Sequence, residues 1–340
     1  MDSFTRVKVI KMKTYLPIFL ILLFFSCNRA YEAPVVEQNT DYKLSVVRLD
    51  RELFQSDSAI VDIIEKYPDF AKVYVENIMR LAPVSSPMIK DQAASFVNND
   101  LWKGLQNEID SVFSNHEPMV ADIEKKLRKA KSVLPSLNYP NDLYLFNSGF
   151  NVAVYPDTAF LGVGLEWFLG KDSKYISMLP PESFPMYKRN KMKKENLVPD
   201  LLRGFFFYQL YDEKYEKDAL SLMQFYGKAL FVLKQVTGFS DADVLNYTQQ
   251  ELAWAQKNQK LVWRTLVQQD WLYSNNSKVM SELTKDGPFT KGFDQESPSR
   301  LGWYIGYRMM VDYANDNKEK TLEEIINTPV KEVLLHYKKP

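Results

Sequence analysis

The chain has 340 residues, with 43 Lys and Arg balanced by 43 Asp and Glu, two His and a single Cys. With 46% hydrophobic residues, 21 Phe, 20 Tyr and 6 Trp, it carries far more apolar surface than a disordered chain, and its length suits one large domain or two ordinary ones. A neutral total gives no general drive toward nucleic acid, one Cys excludes an intrachain disulfide, and two His are too few for most zinc sites.

At the N-terminus, Arg6, Lys8, Lys11 and Lys13 precede the uninterrupted apolar run Tyr15–Phe25, which ends at Ser26 and Cys27. A run of about 10 residues is too short to span a bilayer, which takes about 20, but it suits a secretory signal, and Met12 offers an alternative start. Phe24-Phe25-Ser26-Cys27 resembles a bacterial lipobox, in which a small residue precedes the Cys that becomes the acylated N-terminus. Residues 1–26 are therefore expected to be a lipoprotein signal peptide and Cys27 a lipidation site. Cleavage would remove Asp2 and four basic residues and leave a mature chain of net charge −3. Such a chain has no basic surplus to hold it on phospholipid, so the acyl chains on Cys27 must do so, and more than one is needed for stable anchoring. Residues 27–42 are polar with little periodicity and read as a flexible tether, with a single domain over 43–340.

Leu44–Leu49 alternates loosely as a short strand, and Asp50 could cap the helix that follows. Apolar residues recur at helical spacing from Leu53 to Arg80 with a break near Pro68, then over Gln92–Ser114 and Val120–Leu134. After Pro140, Leu143–Phe146, Asn151–Tyr155 and Thr158–Leu165 are short and rich in Val, Phe and Tyr, and they read as an antiparallel β-meander. Helical patterns then return. Asn196–Leu210 is apolar nearly all round, as a buried helix would be. Asp218–Thr237 stops at Gly238, the pattern opened by Ser240 persists to about Tyr273, and Ser299–Asn315 and Thr321–Tyr337 complete the set. The fold class expected is α+β, mostly α-helical, with the small meander inserted.

No motif for chemistry stands out. His116 and His336 belong to no metal-binding pair, and there is no G-x-S-x-G, no Walker A and no dinucleotide fingerprint. A calcium loop starting at Asn315 would need Gly and Glu where the chain has Lys320 and Ile326. Glu166 is the carboxylate most worth attention, since it follows a strand among Leu165, Trp167 and Phe168, where burial would raise its pKa. The basic run Tyr187–Lys194 reads as a solvated face or loop that could also meet lipid headgroups or an acidic partner. Gly302 and Gly306, four apart on an aromatic helix, would let a second backbone approach closely within the molecule. Trp254, Trp263 and Trp271 read as core within a long helical pattern.

Several stretches, taken in order, carry a resemblance. They are Cys27, Val47-Arg48-Leu49-Asp50-Arg51-Glu52-Leu53-Phe54, Gly164-Leu165-Glu166-Trp167-Phe168-Leu169-Gly170 with Tyr175 and Pro180, Met192 through Pro199-Asp200, and Pro298 through Tyr307. Together the chain resembles the gliding-motility lipoprotein family GldB of Bacteroidetes over nearly its whole length. That resemblance implies an envelope lipoprotein required for gliding and linked to type IX secretion, with the envelope proteins of that machinery as partners. Residues 28–42 lack the acidic run that often follows the Cys in surface-exported lipoproteins of Bacteroidetes, so a lipid-anchored outer-membrane protein facing the periplasm is expected.

The family is more distantly similar to zinc peptidases whose central helix carries H-E-x-x-H. If Asn196–Leu210 takes that place, Arg203, Gly204 and Phe207 stand where two ligands and a base would be, and none of them can hold zinc or activate water. The resemblance thus implies a zincin-like layout without the metal site, no cofactor and no enzyme activity, with Glu166, Arg300 and Tyr304 as candidate lining of any surviving groove. Two alternatives stay open. One is a hydrolase, peptidase-related or glycan-active, that works through carboxylates; the other is a periplasmic lipoprotein that binds glycan or peptide.

Overall fold

The computed structural model describes residues 30–37 and 41–340. The signal segment 1–26 and Cys27 lie outside the described residues. Four strands form one sheet in the order β1-β2-β4-β3: β1 (Ser45–Arg48), β2 (Asp142–Phe146), β3 (Val154–Pro156) and β4 (Phe160–Gly164). β1, β2 and β4 run parallel, and only β3 is antiparallel, on the outer edge of β4. The expected antiparallel meander is thus corrected to a mixed sheet that includes the early strand. The reason lies in the side chains. β2 is apolar on both faces and so belongs at the centre of a covered parallel sheet, whereas Pro156 cannot donate to a ladder and confines β3 to an edge.

The two faces of the sheet meet different cores. Tyr144, Phe146 and Phe160 point to a smaller cluster shared with α1 (Leu49–Leu53), α2 (Ala59–Lys66), α3 (Pro68–Lys72) and its π-helical continuation Val73–Ile78, and α4 (Ile89–Asn98). There Phe70 lies flat on Tyr144 with ring centroids 3.8 Å apart. Leu143, Leu145, Leu161 and Val163, one residue out of phase, join the larger core with α5 (Asp100–Val112) and α6 (Glu117–Val133). The stretch read as one helix over Gln92–Ser114 is split at Asn99, whose side chain accepts the Leu101 N–H and caps α5. Asp50 caps nothing. It lies inside α1, buried and gripped at both oxygens by Arg48 at 2.8 and 2.6 Å.

The second half is helical: α7 (Lys174–Ser177), α8 (Met186–Arg189), α9 (Leu197–Leu210), α10 (Ala219–Thr237), α11 (Asp241–Leu245), α12 (Gln249–Lys257), α13 (Gln259–Gln268), α14 (Ser277–Thr284), α15 (Leu301–Asp316), α16 (Leu322–Ile326) and α17 (Val330–His336). The pattern that runs on from Ser240 is broken into three helices. Asn246 takes a left-handed conformation (φ 53°), and Thr248 with Glu251 starts α12 afresh as a capping box. Pro329 likewise divides α16 from α17.

α10 and α15 cross with backbone against backbone. A Cβ on Gly306 would stand 1.8 Å from Met223 O, and one on Gly227 2.2 Å from Gly306 C, so the contact exists only with glycine at both places. α9 lies along the sheet edge, where Gly204 faces Val154 and Pro156 of β3.

The folded unit takes in residues from Tyr31 onward, earlier than the sequence pattern indicates. Tyr31 is buried against Phe231, its N–H donates to Asn315 Oδ1, and Ala33 N donates to Gln235 Oε1. Tyr42 is buried too, bonded to Pro140 O. A polar stretch without periodicity gave no hint that its two tyrosines were anchors.

Candidate functional site

Glu166 sits on the 3-10 turn Leu165–Phe168 that ends β4, fully buried. The loop after β2 closes round it. Gly149 and Phe150 both take positive φ (64° and 66°), which turns three donors onto one carboxylate oxygen: Ser148 N at 2.9 Å, Ser148 Oγ at 2.5 Å and Phe150 N at 3.1 Å, all to Oε1. Oε2 has no hydrogen-bond partner among the described residues. Burial pushes the carboxyl up to about 7, against the downward pull of the Ser148 and Phe150 donors. Beside this cage a polar chain leads outward. Tyr74 OH donates to Asn147 O at 2.6 Å, Asn147 Nδ2 to Gln106 Oε1 at 3.3 Å, and Gln106 Nε2 to Asp50 at 2.9 Å, next to a 530 Å³ cleft lined by Arg51, Gln106 and Asp110.

Arg203, on α9, is buried and clamps α11. Its guanidinium donates to Asp243 O at 2.5 Å, to Val244 O at 3.1 Å and to Asp200 within its own helix. Gly204 is spent on the β3 contact, and Phe207 meets Trp303 edge-on at 5.0 Å. All three positions thus have a structural task. Among the described residues no three His, Cys, Asp or Glu side chains are grouped to hold a metal ion.

Arg300 takes a left-handed backbone (φ 61°) at the start of α15 and is buried with its guanidinium 4.5 Å above the Trp303 ring. It donates to Asn246 O at 3.2 Å, while its Nε, 3.5 Å from Asp286 Oδ1, makes no hydrogen bond. Tyr304, one turn on, is buried and donates to Gln259 Oε1 at 2.7 Å. Arg300 and Tyr304 thus share a helix, while Glu166 has its contacts in a separate network. None of the three lines the 530 Å³ cleft, nor the 340 Å³ and 220 Å³ clefts elsewhere on the surface.

The basic run is solvated only in part, with Asn190, Lys193 and Lys194 exposed and the rest buried or half-buried. Arg189 donates to Phe184 O, Leu179 O and Ser177 O, Lys188 lies over the Trp167 and Phe184 rings, and Lys191 turns inward with only 16% of its side chain exposed. Lys191 lines the 340 Å³ cleft with Tyr187, Asn190, Asn246, Tyr247 and Glu251. The sequence marks the run as cationic but carries no sign of which lysine is turned inward. His116 is partly buried at the start of α6, His336 lies 3.4 Å from Asp316, and Trp263 packs on Tyr337. Trp271 packs on Phe293, and Trp254 lies against the main core.

A family model described as gliding motility protein GldB matches residues 30–339, which takes in the folded unit up to its last residue but one. The chain belongs to the GldB family. No curated protein and no solved structure matches it. The GldB match covers both cores, the Glu166 cage and the Lys191 cleft, so membership describes the domain as a unit. No helix among the described residues is long and apolar enough to cross a membrane.

Proposed function

We propose that the chain is an outer-membrane lipoprotein anchored through acyl chains, palmitate among them, on Cys27, facing the periplasm, and acting in gliding and type IX secretion by binding envelope proteins rather than by catalysis. The GldB match over residues 30–339 is the observation that carries this reading. Support for a binding role comes from α9. Where a peptidase relative would carry its metal-binding helix, Arg203 is committed to three acceptors and Gly204 and Phe207 to packing. The peptidase-like scaffold without its chemistry belongs to this reading.

Two measurements test it. In a strain that glides, deletion of the gene is expected to abolish colony spreading, and Cys27→Ser to abolish incorporation of labelled palmitate. Normal spreading and cargo secretion after clean deletion would sink the reading.

The hydrolase reading draws on one observation, the raised pKa of Glu166, which suits a general acid at neutral pH. Its full burial, which closes Oε2 off from solvent, weighs against it. Full complementation by Glu166→Gln would end it.

A further inference from the structure

The 340 Å³ cleft lies where the loop carrying Lys191 meets α11 and α12. Its charges are unevenly satisfied. The Lys191 ammonium makes no hydrogen bond among the described residues, and its nearest acid is Asp286, whose Oδ1 is 3.9 Å away. That oxygen is already shared, since Ser299 Oγ donates to it at 3.2 Å and Arg300 Nε stands 3.5 Å from it. Behind them Arg203 has its own partner in Asp200. Two nearly enclosed cations therefore compete for one half-exposed carboxylate oxygen, and a buried cation without a hydrogen-bonded counter-charge is costly unless something supplies one.

The acids that line the cleft do not supply it. Glu251 Oε2 accepts Thr248 N at 2.6 Å, and Asp243 Oδ2 accepts Ser240 Oγ at 2.6 Å, each held in the cap of its own helix. Glu251, whose other oxygen accepts no hydrogen bond among the described residues, lines the cleft together with Asn190, Asn246, Gln250 and Tyr187. The cleft thus offers two cations without a hydrogen-bonded counter-charge, the largely enclosed Lys191 and the exposed Lys193, together with an acid and several amides. A dianion would be repelled by Glu251 and Asp243. A peptide fits better, because it combines a carboxylate with N–H donors and carbonyl acceptors.

We propose that this cleft receives an acidic peptide segment of the protein partner, with the Lys191 ammonium meeting its carboxylate and Glu251 an adjacent backbone N–H. The inference rests on the partner-binding reading above and names the surface it uses. Burial, and then the Arg300 charge, holds the Lys191 ammonium down to about 8, while Asp286 and Glu251 pull it up and Arg203 pulls it further down. A bound carboxylate favours the charged form, so affinity is highest below about pH 8 and falls above it.

The test uses the full chain in detergent and a rhodamine-labelled, otherwise neutral heptapeptide with one central acid, Asp or Glu, read by anisotropy at pH 7. The acidic peptide is expected to bind, its Asn or Gln counterpart about tenfold or more weakly, and Lys191→Met to lose binding by a similar factor. Lys191→Arg should retain most of it. Lys191→Met removes a charge that makes no hydrogen bond, so an unchanged or raised melting temperature will show that the fold survives. Equal binding of both peptides, no binding of the acidic one up to millimolar concentration, or complete displacement by equimolar inorganic phosphate overturns the proposal. A gliding strain separates the two levels. Spreading lost on deletion but kept by Lys191→Met defeats this inference alone, whereas spreading kept on deletion defeats the partner-binding reading itself.

Discussion

Glu166 and Lys191 are both ionisable groups taken largely out of water, and the fold treats them in opposite ways. Round Glu166 it closes a loop through two residues at positive φ and aims three donors at one oxygen, leaving no opening to solvent. Lys191 it leaves without an acceptor at the wall of a cleft. A buried charge whose partners come from its own neighbourhood is a fixed part of the architecture. One whose partner is missing is a place where something else can complete the set. The sign of each pKa shift is the same statement in another form, because burial disfavours the charged form of both.

The contrast can be broken most severely at the carboxylate. Glu166→Ala removes the acceptor of two N–H groups and a hydroxyl in a dry site, and should destabilise the protein by about 2–4 kcal/mol in urea denaturation at pH 5. A cost under about 1 kcal/mol would mean the cage is not structural.

Glu166→Gln sharpens the comparison through pH. The folded carboxyl titrates near 7 and the unfolded one near 4.5, so its protonation favours the fold fully below 4.5 and ceases to do so as pH rises past 7. The difference in stability between Glu166→Gln and the parent should therefore move in favour of the variant by up to roughly 3 kcal/mol between pH 4.5 and 8. A flat difference would show that the parent carboxyl is not raised.

The smallest effect is expected at the cation. Lys191 is depressed from 10.5 to about 8, so its charged form burdens the fold below pH 8 and the burden is relieved as pH rises through 8 toward 10.5. Lys191→Met should be more stable than the parent by about 1–2 kcal/mol at pH 7, with the gap closing by pH 10. A destabilised variant at pH 7 would identify Lys191 as structural after all.

What could be foreseen follows from how local each signal is. α10 was legible because Asp218 and Gly238 punctuate it at either end, and the close helix contact because Gly302 and Gly306 are four apart. Its other half, Gly227, was not legible, since a lone glycine in a helix does not announce its partner. The parallel pairing of β1 with β2 was also hidden, because nearly a hundred residues and six helices lie between them. The burial of Glu166 could be read from Leu165, Trp167 and Phe168, but not its donors, which come from a loop on another strand. Lys191 is one cation among several in its run, and only tertiary packing distinguishes it.

The docking of Tyr31 ties the first residues of the folded unit to its last third. Its N–H meets the Asn315 side chain, 284 positions further along the sequence, and its hydroxyl meets Lys320 O. Its ring packs on Phe231. A chain shortened past Tyr31 would lose all three contacts at once, so the fold begins where that side chain begins and not at the first strand.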